Sequence, residues 1–180
     1  MLPARTVAAA SGAGGADIMF VIDTGFSMMQ YNPAMDDSLA DALVGVIEQA
    51  PGGSLFGVAT EYAAVVGIDA YAATNELYNM PEYGCTCDIQ ALLQNAAATF
   101  TGSGMQQIIV VSTSQWYDIV DDALQLESQG TIVYIIAFEQ DEAAAEQLQS
   151  SYPHAFVCAN AREVSYRIAG LYEEIVEIPP

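Results

Sequence analysis

The chain has 180 residues, enough for one domain with a full core and too few for two comfortable ones. It carries 23 Asp and Glu against three arginines, no lysine and one histidine, a formal charge of −20. Without clustered Lys or Arg it cannot displace counterions from nucleic acid or an anionic membrane. The lack of lysine also excludes a P-loop lysine and Schiff-base chemistry.

The acids are spread evenly, 11 in residues 1–90 and 12 in residues 91–180, so there is no acidic tail. Apolar residues make up 53 % and charged residues 14 %, where globular chains average about 45–50 % and about 25 %. This is the balance of a well-packed domain with an acidic skin. No run approaches the roughly 18 apolar residues of a membrane span.

Residues 1–16 are rich in Gly, Ala and Ser without a signal-peptide core, and read as a flexible lead-in. Residues 17–23 (DIMFVID) form a buried-strand run ending in a carboxylate. Asn32-Pro33 opens a helix to about Gln49, with Leu39, Leu43, Val46 and Ile47 on one face, and Pro51-Gly52-Gly53 ends it. Two runs follow almost without a gap, 55–62 and 64–69, which only an antiparallel hairpin accommodates. Residues 70–86 read as a long ordered loop with room for one short helix.

A helical pattern resumes over 88–100, and 108–113 (IIVVST) is a central-strand run. A regular alternation closes the chain: helix 117–129, strand 131–138, helix 140–151, strand 155–159, helix 161–177. Apolar strands separated by amphipathic helices predict a doubly wound, mostly parallel six-stranded α/β sheet with one antiparallel hairpin strand and helices on both faces. The domain is expected to span 17–177, with Pro179-Pro180 starting a linker within residues 178–180 of a longer, multidomain protein.

Such sheets bind ligands beyond the carboxyl ends of their strands, where strand order reverses. Those positions hold Asp23-Thr24-Gly25-Phe26-Ser27-Met28 and Thr113-Ser114-Gln115-Trp116. Neither is a phosphate loop, since the first lacks the G-x-G-x-x-G spacing and the second has no glycine.

The apolar strand ending Phe20-Val21-Ile22-Asp23, followed by x-Gly25-x-Ser27-Met28, resembles the opening of a von Willebrand factor type A (vWA) domain. The order of elements over about residues 16–177 is similar as well. The resemblance implies a metal-ion-dependent adhesion site of the pattern Asp-x-Ser-x-Ser, holding Mg²⁺ or Mn²⁺. Carried over by position, Asp23 and Ser27 match, Gly25 replaces the first serine, Thr86 matches the threonine, and Ser114 stands where an acid is expected. A hard divalent ion wants about six oxygens, so the site reads as eroded.

The resemblance implies a non-catalytic protein-binding or adhesion module, extracellular or on the cell surface, with a cytoplasmic alternative. The loops at this sheet end supply Phe26, Met29, Tyr31, Tyr78, Met80, Tyr83, Trp116 and Tyr117, with Trp116 expected to be exposed. Aromatic and Met side chains on one rim suit protein recognition, while any single one can instead fold inward to pack the 70–86 loop. The expected partner is a neutral, basic or cation-bridged protein. A Mg²⁺- or Mn²⁺-dependent adhesion domain using Asp23, Ser27 and Thr86 is one alternative. A small-molecule-binding or catalytic doubly wound domain is another.

The remaining signals are weak. Cys85, Cys87, His154 and Cys158 have the composition of a zinc site, but the topology sends His154 to the opposite end of the sheet. Cys85 and Cys87 read as free thiols or as a small strained disulfide. There is no G-x-S-x-G nucleophile elbow. Adjacent acid pairs such as Asp36-Asp37 and Asp121-Asp122 diverge on helices rather than sharing a site.

Overall fold

The computed structural model describes residues 5–6, 16–32, 37–81, 83–84, 86–100, 105–113 and 116–171. Its strands are β1 (Arg5–Thr6), β2 (Ala16–Ile22), β3 (Leu55–Ala59), β4 (Ala64–Ile68), β5 (Met105–Ser112), β6 (Thr131–Phe138) and β7 (Ala155–Cys158). They form one sheet in the order β1-β4-β3-β2-β5-β6-β7. The six strands expected from the sequence are present. β4 pairs antiparallel to β3, while β2, β3, β5, β6 and β7 run parallel. A seventh, β1, lies within the stretch read as a lead-in and pairs parallel to β4 at the edge.

The helices are α1 (Ser38–Gln49), α2 (Ala70–Tyr78), α3 (Ile89–Ala97), α4 (Tyr117–Ser128), α5 (Glu142–Ser151) and the short α6 (Val164–Arg167). A 3-10 turn, Phe26–Gln30, follows β2, and another, Ala161–Glu163, leads into α6. The expected opening of α1 at Asn32-Pro33 falls partly outside the described residues, and the helix itself starts at Ser38. Residues 70–86 are more regular than a long loop. Asp69, the last residue of the run read as a strand, accepts a hydrogen bond from the Ala72 amide at 2.8 Å and so caps α2. Asp88 and Asp141 cap α3 and α5 in the same way.

Alternation along the strands builds a core on each side of the sheet. Ile18, Phe20 and Ile22 of β2 join Ile109, Val111, Tyr134, Ile136 and Phe138 under α1, α2 and α6. Met19 and Val21 join Ile108, Val110, Val133 and Ile135 under α3, α4 and α5. Both faces are covered, which is why the centres of these strands are apolar on both sides. Gly57 marks a tight spot where β3 meets its neighbours. A Cβ there would lie 2.6 Å from the end of the Met19 side chain and 3.0 Å from the Val65 carbonyl oxygen.

From β2 the chain builds outward through β3 and β4, then returns to the other side of β2 for β5, β6 and β7. The strand order therefore reverses between β2 and β5, and their carboxyl ends flank the crevice that this architecture uses for ligands.

Candidate functional site

Register decides what meets in that crevice. Ile22 of β2 lies opposite Val111 of β5, and the Asp23 amide donates to the Val111 carbonyl at 2.9 Å. On the other side Val21 lies opposite Ala59 of β3. Asp23 and Glu61 each sit two residues beyond that pair, so the parallel register carries two acids to the same level. Glu61 lies in the short link Thr60–Ala63, whose ends are tied by the Thr60 amide donating to the Ala63 carbonyl at 2.8 Å. Cys87 arrives from a third direction, immediately before the cap of α3, and is buried in the core beneath that helix.

Asp23, Glu61 and Cys87 thus bring two carboxylates and a thiol together, their ligand atoms within 4.8 Å of one another. Asp23 is 1 % exposed. One of its oxygens accepts from the Gly25 amide at 2.7 Å and the other from the Thr113 hydroxyl at 3.2 Å. Burial raises its pKa above the usual carboxylate range, and the charge of Glu61 adds to this against those two bonds. Glu61 is half-buried and accepts from the Thr24 amide at 3.2 and 3.3 Å and from the Thr24 hydroxyl. The Cys87 thiol is within hydrogen-bond reach of both carboxylates. Burial, then those two acids, push its pKa far up, so it holds its proton. Among the described residues no basic side chain offsets the charge on Asp23 or Cys87.

Of the site residues expected from the sequence, Ser27 is exposed and its hydroxyl lies 3.1 Å from that of Thr113. Thr86 is exposed. Ser114 and Cys85 lie outside the described residues. Cys87 carries a free thiol.

The rim divides sharply. Phe26, Met29 and Tyr117 are exposed, at 62 %, 53 % and 56 %. Tyr62, beside Glu61 on the β3–β4 link, is exposed too. Trp116 is buried, which corrects the expectation that it is exposed, and Tyr31 and Tyr83 take the inward alternative, so none of the three is open to a partner. Tyr31 stacks on Phe138 with ring centres 5.5 Å apart, and its carbonyl accepts from the Ala161 amide at 3.0 Å. Tyr83 turns inward, where its hydroxyl accepts from the Asn32 side-chain amide at 2.9 Å. Trp116 belongs to the same buried core as Cys87 and Ile119, with the Tyr117 ring tilted against it, ring centres 4.4 Å apart. A large apolar ring at the start of a helix gains more from the adjacent core than from solvent. Tyr78 donates its hydroxyl to Asp41 of α1 at 2.6 Å, and Met80 packs against the core.

Glu61 and Cys87 are the two site residues the sequence hides. Glu61 reads as part of a strand running to Tyr62, whereas β3 stops at Ala59. Once β2 and β3 are taken as parallel neighbours, the two acids two residues past them become the available signal. Cys87 stands beside the threonine to which the motif points.

The fold is a doubly wound α/β domain with an acidic cluster, Asp23, Glu61 and Cys87, at its switch point. No protein-family model matches the sequence, and no curated protein matches it in sequence. Solved structures do match in shape. A von Willebrand factor type A protein from Catenulispora acidiphila superposes with TM-score 0.60 at 13 % identity, over 91 % of this chain and 42 % of that one. Proximal thread matrix protein 1 from the mussel byssus gives 0.65 at 18 %, over 89 % of this chain and 44 % of that one. A manganese-loaded Plasmodium vivax TRAP protein gives 0.59 at 13 %, over 88 % and 73 %. The chain therefore spans less than half the length of the first two. Its fold is that of a von Willebrand factor type A domain.

Proposed function

We propose that the domain is a non-catalytic protein-interaction module that engages its partner through the carboxyl end of the sheet. The observation that carries this reading is the exposure of Phe26, Met29 and Tyr117 around the acidic switch point. The hydrogen bond between Ser27 and Thr113 ties the turn bearing Phe26 and Met29 to the end of β5, three residues before Trp116. Exposed aromatic and Met groups fixed on a rigid frame lose little freedom on binding and suit recognition. The surface charge of −20 favours a neutral or basic partner.

Supporting this reading, His154 lies near Glu127, away from Ser27, so the two do not form a serine–histidine pair. No helix among the described residues is long and apolar enough to cross a membrane. Structural neighbours from a byssus matrix and from a pilus adhesin favour an extracellular or cell-surface setting within a larger protein, with a cytoplasmic one as the alternative.

A Mg²⁺- or Mn²⁺-dependent form of this reading, using Asp23, Ser27, Thr86 and Ser114, draws support from the manganese-loaded TRAP neighbour. One experiment separates the two. A cross-linked partner is recovered with the wild-type domain, then with Phe26→Ala, Met29→Ala and Tyr117→Ala, each with and without chelator. Aromatic-rim recognition predicts capture reduced roughly tenfold or more by the rim variants and unchanged by chelator. Capture that survives all three variants rejects it. Capture lost on chelation and in Asp23→Ala supports the magnesium or manganese form instead.

A further inference from the structure

We propose that Asp23, Glu61 and Cys87 form a site for a thiophilic divalent cation of the zinc class, which the domain holds in preference to Mg²⁺ or Mn²⁺. Three observations carry this. First, the donors converge from three separate parts of the chain, the end of β2, the β3–β4 link and the residue before the α3 cap, with all ligand atoms within 4.8 Å. A tetrahedral ion bound at about 2.0–2.3 Å holds its ligands roughly 3.5 Å apart, so a small closing movement of the half-buried Glu61 completes the set.

Second, the donor types suit a borderline-soft ion better than a hard one. Mg²⁺ requires a near-octahedral shell of oxygens. Here Gly25 offers no side-chain oxygen, and a sulfur stands beside the carboxylates. Two carboxylates and one thiolate make a three-ligand zinc set with a fourth position left for water or a partner's donor atom.

Third, the support around the ligands is already in place. Asp23 is held by the Gly25 amide and the Thr113 hydroxyl, and Glu61 by the amide and hydroxyl of Thr24. Ligating carboxylates are oriented by such bonds, and each keeps lone pairs free for an ion. Two carboxylates beside the thiol attract a cation, and a thiol that coordinates a metal gives up its proton. Binding therefore forms a metal–sulfur bond and releases one proton to solvent, with no change of oxidation state.

The test titrates the full chain with Zn²⁺ and with Co²⁺ as a spectroscopic substitute, in the presence of excess Mg²⁺. The site predicts one ion bound, release of about one proton per ion and a sulfur-to-cobalt charge-transfer band in the near ultraviolet. Cys87→Ser should abolish the band and the proton release. Glu61→Gln should weaken Zn²⁺ roughly tenfold or more while keeping the metal-free circular dichroism of wild type. Should Cys87→Ser fail to fold, the Glu61→Gln affinity and the wild-type band decide. A band that survives Cys87→Ser, Mg²⁺ or Mn²⁺ binding tighter than Zn²⁺, or Zn²⁺ affinity unchanged in Glu61→Gln overturns the proposal. None of these readouts involves the partner, so failure here leaves rim recognition standing, and the converse holds.

Discussion

Two buried polar clusters, one at each end of the sheet, are arranged in opposite ways. At the amino end, Tyr152 is fully buried and its single hydroxyl proton is shared between Glu127 and the Val133 carbonyl, the latter at 2.7 Å. His154 stands 3.8 Å from the same carboxylate and packs edge-on against Tyr134 and Tyr152. Gln106 of β5 accepts from the Thr131 hydroxyl of β6 at 3.1 Å nearby. Glu127 is thus paired with donors. At the carboxyl end, two acids and a thiol face one another, and among the described residues no basic side chain acts on Asp23 or Cys87. The Tyr152–Glu127 cluster matches donor to acceptor, while the Asp23–Glu61–Cys87 cluster holds like charges close where the strand order reverses. Strain and local inconsistency of this kind concentrate at functional sites.

The rim repeats the contrast within a few ångströms. Trp116 is a core residue and Tyr117, its neighbour in sequence, is exposed. Trp116→Ala should therefore cost about 3–5 kcal/mol of unfolding free energy, and Tyr117→Ala should stay within about 0.5 kcal/mol, both read by urea denaturation. Equal effects would erase the division between frame and crest. At the amino end, Tyr152→Phe removes the buried donor shared by Glu127 and the Val133 carbonyl and should cost about 1–2 kcal/mol. A neutral outcome would mean that Glu127 is satisfied without Tyr152.

The smallest effect concerns Asp17, at the start of β2, whose pKa burial raises. A carboxyl whose folded pKa lies above its unfolded value keeps its proton longer in the native state. Its contribution is complete below pH 3.8, the ordinary value, and is lost as pH rises through the raised folded value. Asp17→Asn should accordingly flatten the decline in stability with rising pH over that interval. An unchanged slope would assign the decline to the general repulsion of the charge of −20.

Elements whose signal is local are written plainly in the chain. β6, Thr131–Phe138, and α4, from Tyr117, begin where the periodicity places them, because an apolar run and a helical face are each set by consecutive residues. Asp23 is readable for the same reason, as a carboxylate closing an apolar strand. Glu61 and Cys87 are not, since their roles come from strand register and from a loop folding back, relations between residues 26 to 64 positions apart. The inward turn of Tyr31, Tyr83 and Trp116 depends equally on distant partners, such as Phe138 for Tyr31 and Asn32 for Tyr83. A loop aromatic therefore looks the same in sequence whether it faces solvent or a gap in the core.

The most direct test of the central claim, that the carboxyl end is built for binding at the expense of stability, is the thermal unfolding of Asp23→Asn without added metal. Asparagine keeps the shape and an acceptor for the Gly25 amide while removing a buried charge that faces Glu61. The account predicts a gain of roughly 0.5–2 kcal/mol over wild type, seen as a higher melting temperature. A melting temperature below that of wild type would show that the Asp23 charge stabilises the fold, and would contradict the account.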